Sequence, residues 1–186
     1  MNIWDELEME INICHKCPLE KVRSNPILGM GDKTSKVMFI LGQISEQEDN
    51  RGLLLIDKKG EYFLKFLEFS KFNSDAVYMT NLFKCTAKGE LVEKKIIKAC
   101  EDYLMAQIAL INPKIIVTVG ELVTKQFINT DFNDMRDIVG KEFDYTGGIK
   151  ILPIYDLTYL FKATDKEKWQ LVKTLEKLNM VLKEGE

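Results

Sequence analysis

Four short apolar runs alternate with stretches of helical periodicity, and this alternation constrains the fold more than any other feature of the 186-residue chain. The runs are Lys36–Gly42 (KVMFILG), Ala76–Asn81 (AVYMTN), Pro113–Gly120 (PKIIVTVG) and Ile149–Asp156 (IKILPIYD). Each is nearly continuous in apolar residues rather than alternating, the pattern of a strand buried on both faces of a parallel sheet. Between and after them lie segments with apolar side chains at helical spacing. Lys59–Phe69 carries Tyr62, Phe63, Phe66, Leu67 and Phe69. Glu93–Ile111 carries Ile96, Ile97, Cys100, Tyr103, Leu104, Ile108 and Ile111. Glu121–Ile128 is short, and Lys166–Leu182 carries Trp169, Leu171, Val172, Leu175, Leu178 and Val181. Strands alternating with helices predict an α/β fold: three layers, αβα, around a central four-stranded, mainly parallel sheet. No linker or repeat interrupts the pattern. One domain over residues 1–186 is expected, with residues 1–35 an N-terminal arm.

In such sheets the working residues sit just past the carboxyl ends of the strands. That rule nominates Gly42-Gln43-Ile44-Ser45, Asn81-Leu82-Phe83-Lys84, Gly120-Glu121 and Asp156-Leu157-Thr158-Tyr159. No apolar run approaches the roughly 20 residues of a membrane helix. The start, MNIWDELEMEINI, is acidic and has no signal-peptide core, so a cytoplasmic protein with no membrane association is expected. A net charge of −3 means that any nucleic-acid partner is met by a local basic patch. Lys84, Lys88, Lys94, Lys95 and Lys98 could supply one, or they form a solvated helix face.

Four cysteines stand at Cys14, Cys17, Cys85 and Cys100, the first two in a polar CxxC loop within the arm. In a reducing compartment such thiols are free, catalytic or metal-bound rather than disulfide-bonded. Buried free thiols, a zinc site or an iron–sulfur cluster all fit the count, and spacing does not separate zinc from iron. His15, the single histidine, lies between the first two thiols and is expected as an exposed loop residue.

From Cys14 to Lys162 the chain resembles the uracil-DNA glycosylase superfamily, most nearly its family-four iron–sulfur branch. The resemblance rests on ordered short motifs. Cys14, Cys17, Leu19 and Arg23 match a C-x-x-C-x-L opening with its arginine. Gly29-Met30-Gly31 matches a G-x-G, and Gly42, Glu48, Asp49, Gly52 and Gly60 match the glycines and acidic pair after the first strand. Thr80-Asn81-Leu82-Phe83-Lys84-Cys85 matches T-N-x-x-K-C. Cys100, Tyr103 and Leu104 match the following helix, and Pro113-Lys114 and Val119-Gly120 follow in order. The resemblance implies a 4Fe-4S cluster on Cys14, Cys17, Cys85 and Cys100, with zinc as the alternative metal, and a role in base excision repair of DNA.

A glycosylase of this kind stacks, reads and cleaves a flipped base. The resemblance assigns base binding to Asn81, Leu55 and Gly42. Asn81 reads the polar edge, unless it merely caps a turn, and Leu55 stands where the family stacks a phenylalanine. It assigns the catalytic positions to Gln43, where the family has an acid that activates water, and to Asp156, where it has a histidine that stabilises the leaving base. Glu46 is a substitute acid, whereas Glu48 and Asp49 are expected to anchor the loop. Tyr159, Leu160, Phe161 and Lys162 occupy the DNA-contact loop, as wedge and phosphate ligand or as junction packing. An amide cannot take a proton from water, and an ionised aspartate repels a developing anion. A monomer that binds single-stranded or damaged DNA, with weak or lost uracil excision, is therefore expected. The alternatives are an active DNA glycosylase, a hydrolase of N-glycosidic bonds with altered base specificity, and a module that binds a partner other than DNA.

Overall fold

The structure, a computed structural model, describes residues 2–89 and 92–183. Its sheet contains strands β1 (Met30–Gly31), β2 (Val37–Leu41), β3 (Tyr78–Asn81), β4 (Ile115–Val119), β5 (Phe143–Asp144) and β6 (Lys150–Ile154). They lie in the order β1-β3-β2-β4-β6-β5. The inner four, β3, β2, β4 and β6, are parallel, with Phe39 opposite both Met79 and Val117, and Val117 opposite Leu152. These are the four strands read from the sequence. The expected sheet of four is extended to six by β1 and β5, which pair antiparallel at the two edges. Each edge strand has only two residues, exposed or half-buried, too few to write a period of their own.

Helices α1 (Ile3–Asn12), α2 (Glu46–Arg51), α3 (Lys58–Phe69), α4 (Lys94–Ile111), α5 (Glu121–Phe127) and α6 (Asp165–Lys183) accompany the sheet. Because side chains alternate along a strand, β2 divides between two cores. Phe39 and Leu41 pack with Val117, Leu152, Phe63 and Leu67 of α3, and Leu171, Leu175 and Leu178 of α6. Met38 and Ile40 pack with Ile116, Ile151, Leu7 and Ile11 of α1, Leu104 and Ile108 of α4, and Val123 of α5. Three layers result, as expected.

Two helices were not expected. The arm begins with α1, held by a capping box in which the Asn2 side chain accepts the N–H of Trp4 at 2.9 Å and of Asp5 at 3.0 Å. The arm continues inward, since Leu19 and Ile27 are also buried. Helix α2 starts at a second capping box, Ser45 with Glu48. Two aromatic residues assigned to buried helix faces are instead in solvent: Phe69 is 64% and Trp169 54% exposed. Among the described residues no helix is long and apolar enough to cross a membrane.

The chain leaves β2 for α3 on one face of the sheet and leaves β4 for α5 on the other. Adjacent strands whose connections diverge to opposite faces open a crevice above their carboxyl ends.

Candidate active site

That crevice is a cavity of about 280 Å³. Its wall takes Gly42 and Gln43 from the end of β2, Asn81 from β3, Gly120 and Glu121 from β4, and Asp156, Leu157 and Thr158 from β6. All four nominated stretches therefore reach one space. Glu48, Leu55 and Lys59 close the remaining side.

Asn81 is fixed at the back of the cavity. It is 1% exposed, and its Nδ2 donates to the Gly42 carbonyl at 3.1 Å. Its Oδ1 is the one buried side-chain polar atom without a hydrogen-bond partner among the described residues. A buried acceptor left unpaired costs roughly 1–3 kcal/mol. Such a cost beside an open cavity marks a place where a ligand N–H belongs. Beneath it lies Lys84, expected as a phosphate contact but 1% exposed. Its ammonium donates to the Thr80 hydroxyl at 2.6 Å and the Asn81 carbonyl at 2.8 Å. Burial lowers the Lys84 pKa to about 7, against the opposing pull of the Cys100 and Cys85 thiols. Lys84 thus braces the Asn81 backbone and does not face DNA.

Leu55 forms an apolar wall, 3% exposed, with a left-handed φ of 59° that leucine rarely adopts. Two contacts hold it there. Its N–H donates to Glu48 Oε1 at 2.8 Å, and α3 packs so closely on its backbone that a Cβ on Gly60 would lie 2.3 Å from Leu55 Cα. The other oxygen of Glu48 accepts the Ser45 N–H at 2.8 Å. Asp49 accepts the backbone N–H of Ser24 at 2.8 Å and of Asn25 at 3.1 Å. Both acids therefore anchor the loop, each oxygen of Glu48 already accepting a backbone N–H.

The substitute acid Glu46 is corrected by the structure. It is exposed on the first turn of α2 and does not line the cavity, because the capping box turns Glu48 rather than Glu46 toward the sheet. Gln43 lines the cavity, and its carbonyl accepts from Lys59 Nζ at 3.3 Å. Lys59, not foreseen from the sequence, stands 3.6 Å from Asp57 and is the cation of the cavity wall. The only available signal was its position beside Gly60 at the start of a helix. Asp156 faces the cavity from the opposite side, its Oδ1 accepting the Thr158 N–H at 2.8 Å and the Thr158 hydroxyl. Gly120, at φ 88°, leaves it room, since a Cβ there would come within 3.1 Å of the Asp156 side chain.

The loop after Asp156 divides its four candidates. Leu160 is 1% exposed and belongs to the core, so it is not a wedge. Its neighbours point outward. Tyr159 stacks on Tyr155 at 4.9 Å and donates to Glu167 at 2.9 Å, Phe161 stacks on Tyr62 at 4.9 Å, and Lys162 lies over the Tyr159 ring.

On the α1/α4 side of the sheet, the four thiols come from three segments that share one apolar cluster. Arg23 ties the arm to the loop after β3, donating to the carbonyls of Ile11 at 3.2 Å and Cys14 at 3.0 Å and to Cys85 Sγ at 3.5 Å. Backbone N–H groups reach two further sulfurs, Lys84 to Cys100 at 3.3 Å and Lys16 to Cys14 at 3.5 Å. Burial pushes the Cys85 thiol up to about 11 against the opposing Arg23 guanidinium, and raises that of Cys100. Uncompensated, such burial disfavours thiolates. A metal or cluster would reverse that, and N–H donors aimed at sulfur suit thiolate ligands. Among the described residues no three His, Cys, Asp or Glu side chains stand close enough to hold a metal ion. In number and chemistry the donors fit a cluster, in which each iron takes one thiolate. His15 is turned to Glu20 and solvent.

A model of the Uracil DNA glycosylase superfamily matches residues 28–179. The Type-4 uracil-DNA glycosylase of Thermotoga maritima is 28% identical over 175 residues, 92% of this chain and 91% of that protein. The enzyme of the same name from Archaeoglobus fulgidus is 27% identical over 183 residues, covering 91% and 89%. That from Sulfurisphaera tokodaii is 30% identical over 148 residues, covering 77% and 67%.

Proposed function

This chain belongs to the uracil-DNA glycosylase superfamily, and from that premise we propose that it binds DNA and draws an extruded base into the cavity above the sheet, with uracil excision weak or lost. The unpartnered Oδ1 of Asn81 carries this reading. An amide held by Gly42 presents an acceptor and a spare N–H side by side, the complement of a pyrimidine edge with one N–H beside one carbonyl. Leu55 covers the base without an aromatic face, which forfeits part of the roughly 1–3 kcal/mol of base–aromatic stacking. Gln43 can orient a water but cannot deprotonate it. Asp156 places a carboxylate where negative charge would build on the leaving base. The protein acts as a single-domain cytoplasmic monomer over residues 1–186 and takes single-stranded or damaged DNA, whose bases are the least costly to extrude.

The test is binding to single-stranded DNA that carries one uncleavable uridine analogue. Asn81→Ala is expected to weaken binding about tenfold or more, the equivalent of roughly 1.4 kcal/mol, at unchanged melting temperature. Equal affinity for the analogue and for the same strand with cytosine in its place, whose edge offers an acceptor where uracil has its N–H, would remove the base-reading role.

We further propose that Cys14, Cys17, Cys85 and Cys100 hold a 4Fe-4S cluster whose role is structural. When bound it supplies a rigid, net negative centre joining α1, the loop after β3, and α4. Arg23, already against Cys85, offsets part of that charge. Anaerobically purified protein is expected to carry about four irons and four sulfides per chain. Cys100→Ser should lose the iron and the charge-transfer absorbance and unfold at a lower temperature. One zinc and no iron per chain would overturn this assignment.

A second reading, an active glycosylase with altered base specificity, draws on one detail: Thr158 engages only Oδ1 of Asp156, so Oδ2 remains available to a water. Excision of hypoxanthine or another lesion, abolished in Asp156→Ala, would favour it.

A further inference from the structure

A groove of about 360 Å³ lies between α3 and α6, outside the base cavity and absent from every role assigned above. Its lining is rich in aromatic rings: Tyr62 meets Phe66 edge-on at 5.3 Å, and Phe161 of the loop after β6, itself outside the lining and 46% exposed, stacks on Tyr62. One turn further along α3, Phe69 meets Trp169 edge-on at 5.8 Å, and both are more than half exposed. Apolar groups of this size exposed together mark a surface that meets a partner. Lys65 and Lys168 stand on the groove walls with one carboxylate, Asp165, and Lys162 follows Phe161.

We propose that this groove is a track for unpaired DNA bases that flank the nucleotide held in the cavity. The proposal rests on the base-binding reading and extends it along the strand. Three observations select this occupant. First, the same elements carry the groove and the cavity: α3 has Lys59 on the cavity wall and then Tyr62, Phe66 and Phe69 in the groove, and the loop that begins at Asp156 ends in Phe161 on Tyr62. Second, aromatic faces interleaved with lysines are what a single strand needs, a stacking surface for each base and a cation for its phosphate. The local excess of lysine also answers the net charge of −3, which repels DNA elsewhere. Third, edge-to-face contacts such as Phe69–Trp169 occupy one face of only one ring, leaving aromatic faces bare for a base. From Lys59 to Phe69 the helix rises about 15 Å, the length of roughly four stacked nucleotides at about 3.4 Å each. A duplex cannot use the groove, because its bases are already stacked.

The test is fluorescence anisotropy with the full-length, iron-loaded protein. The probes are DNA single strands bearing one uncleavable uridine analogue and flanks of one to six nucleotides on either side. Wild-type affinity is expected to rise as one flank lengthens to about four nucleotides and then level off. Trp169→Ala should cost about tenfold on the long-flank strand and nothing on the one-nucleotide flank. Trp169→Phe should keep most of the affinity, and the tryptophan emission quenched by long strands should vanish in it. Lys65→Gln should reduce the salt slope by about one. If Trp169→Ala and Phe69→Ala bind long strands like wild type, the track is refuted. It is refuted equally if either variant dissociates a dimer instead, for then a second copy covers the groove. In both cases Asn81→Ala still weakens binding of the analogue if the base-cavity reading holds. An Asn81→Ala variant that binds the analogue like wild type, with the flank effect intact, would refute the cavity and keep the track.

Discussion

Replacing Asp156 with histidine is expected to raise uracil excision from single-stranded DNA by about 10²–10³-fold, the usual worth of one donor aimed at a developing oxyanion. The argument is local. As the glycosidic bond breaks, negative charge spreads onto the departing base, and the cavity meets it with a carboxylate. Asp156 sits at the head of the loop after β6 and faces Gln43 and Asn81 across about 280 Å³. At such short range unlike and like charges are separated by several kcal/mol of interaction, even at an effective dielectric of about 20. A neutral imidazole in the same seat donates where the carboxylate repels. The seat can take the ring, because Gly120 removes the side chain that would crowd it and Asp156 is exposed. Asp156→Asn separates the two parts of the effect, since it removes the charge and restores only a weaker donor. It should recover a fraction of the gain. Gln43→Glu added to Asp156→His should raise the rate again, because an acid at that position can accept the water proton. Single-turnover rates beside the Thermotoga maritima relative decide the matter. A wild-type rate equal to that relative's, or a folded Asp156→His variant no faster than wild type, would sink the reading of lost chemistry.

The parts of this protein that could be read from its sequence are those in which one residue type faces one environment. Strands β2, β3 and β4 are buried along their whole lengths and β6 at every residue after Lys150, so their apolar runs are legible. The rule that places function at the ends of parallel strands nominates Gln43, Asn81, Gly120 and Asp156, and all four line one cavity. What escaped depended on geometry that residue type does not encode. Helices α1 and α2 begin at legible capping boxes, Asn2 with Asp5 and Ser45 with Glu48, but α1 is acidic and α2 is only six residues long, so apolar periodicity missed both. That omission misdirected Glu46: without the helix, nothing placed it on a solvent-facing first turn. Leu160 and Phe161 are both apolar and adjacent, yet a single tight turn sends one into the core and the other into solvent. Trp169 keeps helical spacing with Leu171 and Val172, but its ring meets Phe69 edge-on and stays 54% exposed. Lys59 enters the cavity because Leu55 takes a left-handed turn just before α3, and no pattern in the chain announces such a turn at a leucine.

That turn supplies the second large effect. Gly60→Ala should lower stability by on the order of 3–5 kcal/mol, near the top of the range for a single substitution. The new Cβ would lie 2.3 Å from Leu55 Cα, 2.5 Å from its carbonyl carbon and 2.6 Å from its oxygen. All three are backbone atoms, so no side-chain rotation relieves the contact. Either α3 lifts from the sheet or the Leu55 turn opens. Lifting α3 unpacks Phe63 and Leu67, both almost wholly buried. Opening the turn breaks the bond from the Leu55 N–H to Glu48, which leaves half of a buried carboxylate unpaired. It also withdraws Leu55 and Lys59 from the cavity. Folding and base binding are thus joined at one glycine, and the variant should lose affinity for the uridine analogue even at temperatures where it remains folded. Ser70→Ala at the far end of the same helix serves as control: it removes a hydroxyl bonded to the Phe66 carbonyl at 2.7 Å and should cost no more than about 1 kcal/mol. Urea midpoints for the two variants, measured with iron content matched, give the comparison. A Gly60→Ala midpoint within experimental error of the Ser70→Ala value would mean that the helix and the turn are not in contact as described, and the apolar wall of the cavity would go with them.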